Sequence, residues 1–193
     1  MAYLNKIKVE VSNRHVHLSR KDIDVLFGKG YELNVYRELS QPGQFAAKEK
    51  VRLMNGDRRF ENVRVLGPCR ERTQVELSRT DAIFLKVDAP LKLSGDLDDS
   101  SGVIIVGPRG RVELDRGVII SHRHLHVSEE EANELGLENG QVISLRVPGV
   151  KETIFGNVIV RVGLGHCLSF HIDFDDANAC FFDGEAWAEI VDL

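Results

Sequence analysis

The chain is short of cysteine. Its three, Cys69, Cys167 and Cys180, are odd in number, widely spaced and free of any Cys-x-x-Cys pair. That excludes a disulfide framework and fits a reducing cytoplasm. Long apolar runs are also missing. The stretch from Val103 to Val106 is strand-sized, far below the roughly 20 residues of a membrane span. The opening residues, Met1 to Glu10, contain no apolar stretch of signal-peptide length. Positive charge is in deficit: 25 Lys and Arg against 30 Asp and Glu leave a formal charge of −5. This balance argues against a nucleic-acid partner, although local positive charge can still serve a small anion. The absences together lead us to expect a cytoplasmic protein with no membrane or nucleic-acid partner.

What is present is enough to fold. Hydrophobic residues at 42% and charged residues at 28% of 193 support a packed core rather than disorder, in one large domain or two small ones. The chain repeats itself. Val11 to Ser19 reads VSNRHVHLS and Ile120 to Ser128 reads ISHRHLHVS, with His15 and His124 109 residues apart. In each copy the closing serine, Ser19 or Ser128, looks like a helix N-cap followed by acidic residues. Short helices over Arg20–Phe27 and Glu129–Leu135 then run out near Gly28 and Gly136. Further short helices are expected over Arg79–Leu85 and Asp173–Asn178.

Most of the rest reads as strand: Lys50–Leu53, Phe60–Leu66, Thr73–Leu77, Gly102–Val106, Gln141–Val147 and Thr153–Val162. Several of these alternate apolar and polar residues, and Asn55-Gly56-Asp57 favours a hairpin. Helices this short cannot cross over a parallel sheet. The expected fold is mainly β: two related small β-barrel domains capped by short α-helices, from an internal duplication. Ala89-Pro90 reads as a boundary before the second half.

Five of the seven histidines lie in the repeated motifs. Side chains two apart on a strand share a face, so His15 pairs with His17, and His122, His124 and His126 share another face. Such imidazole pairs suit zinc, iron, nickel or copper. A lone His-x-His is commonly an ordinary surface strand; two in the same context point to metal. A catalytic site wants a third ligand and an open position. His171 is the candidate for the second pair and Glu76 for the first. His122 and His166 are left to support the ligands or the fold.

In order, SNRHVHLS, GPCRERTQVELSRTDA, SHRHLHVS and GHCLSFHIDFDDANA resemble the PduL-type phosphotransacylases, the phosphate propanoyltransferase family, from about residue 8 to the C-terminus. The resemblance implies reversible transfer of a short acyl group, acetyl or propanoyl, between coenzyme A and inorganic phosphate. It implies a first barrel over 14–122 and a second over 1–13 and 123–193, completed by the N-terminal strand, with a dinuclear zinc site at their junction. His15, His17 and Glu76 would hold one zinc, with the CoA thiol sulfur filling its open position. His124, His126 and His171 would hold the other, completed by water or phosphate. Arg70 matches the catalytic, phosphate-binding arginine. Ser12, Asn13, Arg14 and Asn178 match CoA-contacting positions, and Gln74, Ser94 and Arg161 match the phosphate pocket. The amphipathic extension that targets some family members to bacterial microcompartments is not visible, so a free cytosolic form is expected.

The chemistry fits these residue types. Arginine forks match phosphate oxygens, and Arg58, Arg59, Arg64, Arg70 and Arg72 gather positive charge, with Arg64 a candidate for the CoA phosphates. Zinc stabilises a thiolate leaving group. Direct attack by phosphate is expected, the cysteines being buried structural thiols. The rival readings are a dinuclear hydrolase of thioesters or phosphate esters, a cupin-like metal oxygenase, and a module merely stapled by metal. A homodimer is the default oligomer.

Overall fold

The computed structural model describes residues 6–191. The expected second domain includes 1–5 and 192–193, which lie outside the described residues. In chain order the elements are β1 (Ile7–Val11), β2 (His15–Ser19), α1 (Arg20–Phe27), β3 (Val35–Glu38), β4 (Phe45–Asn55), β5 (Arg58–Arg70), β6 (Gln74–Leu77), α2 (Arg79–Leu85), β7 (Leu91–Lys92), β8 (Ser101–Val106), β9 (Arg111–Ser121), β10 (His124–Val127), α3 (Glu129–Leu135), β11 (Val142–Val147), β12 (Thr153–Val162), β13 (Ser169–Ile172), α4 (Phe174–Ala179) and β14 (Trp187–Val191).

The chain divides into two compact units. One runs Asn13–Ser121; the other takes the chain up to Ser12 and again from His122 onward. In the first unit β4, β5, β2, β6, β9 and β8 pair in turn, and β8 returns to β4 to close a six-stranded barrel. In the second, β1, β13, β10, β12, β11 and β14 close another. Mainly β, with two closed barrels and four short helices, is the fold class expected from the sequence. The Ala89-Pro90 boundary is a correction. Val87 and Ala89 are buried in the first unit's core, and Ile120 N donates to Pro90 O, so the chain passes through this step without leaving the unit.

Local sequence explains the elements. Along β4, Ala47, Glu49, Val51 and Leu53 are buried while Lys48, Lys50 and Arg52 are exposed, the period-two pattern of a half-buried strand. Gly56, at φ 55°, turns it into β5. Side chains of Ser19, Ser78, Ser128 and Asp173 each accept from a backbone N–H in the first turn of the following helix. Such a cap contributes about 1 kcal/mol. The fourth helix is therefore shifted from the expected Asp173–Asn178, because Asp173 caps it instead of joining it.

The two His-x-His strands sit at the same place in their barrels. β2 runs parallel to β5 and antiparallel to β6; β10 runs parallel to β12 and antiparallel to β13. Val16, Leu18, Leu125 and Val127 fill the cores, and the alternate residues, the histidines, face the other way yet are buried. The strand leading into each motif pairs in the opposite unit: β1 with β13 and β14, β9 with β6, β7 and β8.

Candidate metal centres

Cross-strand register brings a third donor to each histidine pair. Glu76 lies opposite His15, and Gln74 opposite His17; His171 lies opposite His124, and Ser169 opposite His126. Glu76 and His171 are 95 residues apart, as are Gln74 and Ser169, so the two sets are equivalent positions of the duplication. His15, His17 and Glu76 form one group, and His124, His126 and His171 another, each with donor atoms within 4.8 Å of one another. Five of the six are buried and His171 half-buried.

Backbone carbonyls set the ring orientations. His15 Nδ1 lies 2.7 Å from Asn13 O, and His124 Nδ1 2.8 Å from His122 O. Donating there fixes each ring as the Nδ1–H tautomer and leaves Nε2 with the lone pair a metal needs. His171 is held by its Nε2 edge, 3.0 Å from Ser169 Oγ and 3.2 Å from Glu10 Oε2.

Electrostatics separates the groups. In the first, Glu76 Oε1 lies 3.5 Å from His15 Nε2 and 3.7 Å from His17 Nε2. Burial alone would lower His15, but Glu76 outweighs it and the His15 pKa is raised. Burial would raise Glu76; the two histidines and Ser121 hold it well below the carboxylate range. Burial and the neighbouring His15 keep His17 well below an ordinary histidine. In the second group His126 is pushed down to about 2, by burial first and then by the neighbouring His124 and His171. Its Nε2 lies 3.1 Å from His124 Nε2.

The donor sets fit zinc. Two imidazoles with a carboxylate, or three imidazoles, are ligand sets of catalytic zinc sites, whereas calcium and magnesium want mostly oxygen ligands.

Arg70, Gln74 and Ser94 are brought together beside the first group. Arg70 Nη1 donates to Ser94 Oγ at 2.8 Å, Gln74 Nε2 donates to Ser94 Oγ at 2.9 Å and also to Glu76 Oε1, and Gly95 N donates to Gln74 Oε1 at 2.8 Å. Arg161 lies instead in the second barrel, in register with His126. Ser12 and Asn178 belong to that unit, Asn13 and Arg14 to the first. Ser12 N donates to Ile172 O at 2.8 Å, and Asn178 O accepts from Lys151 Nζ at 3.4 Å.

Arg14 is engaged within its barrel. Its guanidinium makes two bonds to Asp81, at 2.9 and 2.7 Å, and lies 4.3 Å from the Phe60 ring centroid. Arg123 repeats this with Asp176, at 3.3 Å, and Phe155, at 5.3 Å. Phe60 and Phe155, like Asp81 and Asp176, are 95 residues apart, so the recurring arginine of each motif is a clamp built into the fold. Arg64 is likewise committed, donating to Ala47 O at 2.8 Å and Lys48 O at 3.2 Å over the Tyr36 ring.

Two expectations need revision. Cys69 and Cys167 are exposed, and only Cys180 of the three is a buried thiol. His122 precedes β10 and does not join its face; its Nδ1 turns to Arg123 O at 3.0 Å. His166, by contrast, lies where the expected supporting role would put it, its Nδ1 3.3 Å from His126 Nδ1. Sequence reasoning also passed over Ser121, which donates to Glu76, and Glu10 beside His171. Both sit on strands leading into a motif, and residue spacing alone does not say which side chains such a strand will face.

Comparison with known proteins supplies the family. The phosphate propanoyltransferase family model matches residues 8–183. A phosphate propanoyltransferase of Thermotoga maritima is 48% identical over 188 residues, 97% of this chain and 90% of its own length. One from Clostridioides difficile is 43% identical, covering 96% and 88%, and one from Leptotrichia buccalis 45% identical, covering 89% and 82%. With duplicated histidine strands, each set against its own third donor, and matches along nearly its whole length, the chain belongs to the phosphate propanoyltransferase family and is an acyltransferase.

Proposed function

We propose that this acyltransferase moves acetyl or propanoyl groups reversibly between coenzyme A and inorganic phosphate, by direct attack of phosphate on the thioester, with a zinc ion in each histidine group. The observation that carries the reading is the side-chain chain from Arg70 through Ser94 and Gln74 to Glu76. It ties a phosphate-binding cation to a metal-ligating carboxylate. The relatives' name, phosphate propanoyltransferase, supports the reaction.

Two bound zinc ions would supply Lewis-acid stabilisation of the departing thiolate and of phosphate oxygens. The chain's own residues do the rest. Arg70, fixed by Ser94, offers two parallel donors to phosphate and holds it in line with the thioester carbon. A phosphate oxygen bonds to that carbon, the C–S bond breaks, and CoA leaves as thiolate. Arg161 and Gln74 hold further phosphate oxygens; Ser12, Asn13 and Asn178 meet CoA, and Arg14 does so through the backbone its clamp fixes. Cys69 and Cys167 are exposed, and neither is needed as an acyl carrier.

The test is CoA release by purified protein from propanoyl-CoA or acetyl-CoA, with and without phosphate. Release that requires phosphate and yields acyl phosphate is expected, unchanged in Cys167→Ala. Equal release without phosphate would make the protein a thioester hydrolase instead. The two acyl-CoAs should differ modestly, since one methylene is worth about 1–3 kcal/mol in an apolar pocket.

A further inference from the structure

We infer that His166 is a positioning residue for the second histidine group, holding the Nδ1 edge of His126 so that this ring presents Nε2 to a metal ion. The inference rests on the proposal that this group holds a metal. His166 Nδ1 lies 3.3 Å from His126 Nδ1 and 3.1 Å from Arg161 O, and the two rings meet edge to face with centroids 4.5 Å apart. His166 is not one of the three donors within reach of a common ion, so it acts through His126.

The proton arrangement makes the role specific. Only one hydrogen fits between the two Nδ1 atoms. His124 is fixed with its lone pair on Nε2, 3.1 Å from His126 Nε2. For His126 to offer a lone pair there as well, its hydrogen must sit on Nδ1, and His166 must accept it. Arg161 O can only accept, so His166 Nδ1 carries its hydrogen toward that carbonyl in one tautomer and gives the contact up to accept from His126 in the other. Partners of this kind orient a ligand and raise its basicity.

The place is built for the ring. A β-carbon on Gly163 would stand 2.5 Å from His166 Cε1, so the bare glycine leaves room for it. His166 N donates to Gly163 O at 3.1 Å, closing the turn that carries the ring. Among the described residues no imidazole from outside the donor group meets His17 in the first barrel; its backbone neighbour there is Leu66.

The test measures zinc affinity by chelator competition on full-length protein stripped and reloaded, comparing wild type, His166→Ala, His166→Gln, Gly163→Ala and His124→Ala. In His166→Ala one ion should bind about 10–100-fold more weakly and the other as before. Gly163→Ala should do the same by displacing the ring. His166→Gln, which keeps an acceptor, should recover most of the loss. The cobalt-substituted absorption spectrum should change for one ion only, and thermal unfolding of metal-free His166→Ala should stay near wild type. Unchanged affinity for both ions in His166→Ala, or a Gln variant no better than Ala, overturns the inference while leaving the metal reading intact. A wild type that takes up no second ion, or one that keeps it in His124→Ala, overturns both.

Discussion

The two barrels place different chemistry at equivalent positions. Opposite the first histidine of each motif stands a glutamate in one and a histidine in the other. Glu76 pulls a proton toward His15 in the first site, while in the second His126 is held down to about 2. A zinc ion would meet a carboxylate, Glu76, as a direct ligand in the first group and only imidazoles in the second, where Glu10 stands behind His171. Under the proposed reading the second site is the stronger anion holder and suits phosphate, and the first suits the singly charged thiolate. Under that reading the duplicated fold would acquire two roles by changing one cross-strand residue.

Removing a ligand is the harshest way to break the comparison. His15→Ala and His124→Ala should each lower bound zinc from two equivalents to one and abolish acyl transfer, checked by metal analysis and CoA release. If either variant kept full turnover, the two groups would not share a reaction. Next in size is Arg70→Ala, expected to cost about 10²–10³-fold in kcat, as loss of one transition-state donor does. It should retain both ions. Arg70→Lys should recover only part, because an ammonium lacks the paired donors.

The sequence disclosed much of this, unevenly. Arg20–Phe27, Arg79–Leu85 and Glu129–Leu135 were legible to the residue because a serine cap and early acidic residues mark their starts. The strand Arg111–Ser121 was not: Val112 and Leu114 alternate with Arg111, Glu113 and Asp115, but Arg116 and Gly117, at φ 124°, break that pattern before the buried run Val118–Ile120. Period two was enough to pair His15 with His17 and His124 with His126. Their nearness to Glu76 and His171 depends on long-range register, which spacing does not encode. The Arg14–Asp81 and Arg123–Asp176 clamps were hidden for the same reason: each joins a motif to a helix more than fifty residues away.

Acid and base sharpen the contrast. Binding zinc to the first group must displace the proton drawn onto His15, so it should release a proton near neutral pH; at the second group His126 should contribute none. Calorimetry in buffers of different ionisation enthalpy, on His124→Ala and His15→Ala in turn, reads this directly. The metal-free fold responds with the matching sign. His126 has a depressed folded pKa, so its contribution to stability is whole above about pH 6.5 and fades as pH falls toward 2. His15, raised, contributes below about pH 6.5 and loses its contribution as pH climbs through the raised value. Stability of His126→Gln against pH should flatten on the acid side, and that of His15→Gln on the alkaline side.

The smallest effects are expected at the clamps. Arg14→Met should cost about 1.5–3 kcal/mol, the range for hydrogen bonds to a charged group, and Arg123→Met less, because its bond to Asp176 is single and longer, at 3.3 Å. Urea unfolding of both variants would rank them.

The most direct measurement is the rate of propanoyl phosphate formation as zinc is titrated into metal-free protein. The account predicts almost no rate through the first equivalent and a steep rise as the second binds. Full rate at one equivalent, or in protein kept free of transition metal, would contradict it.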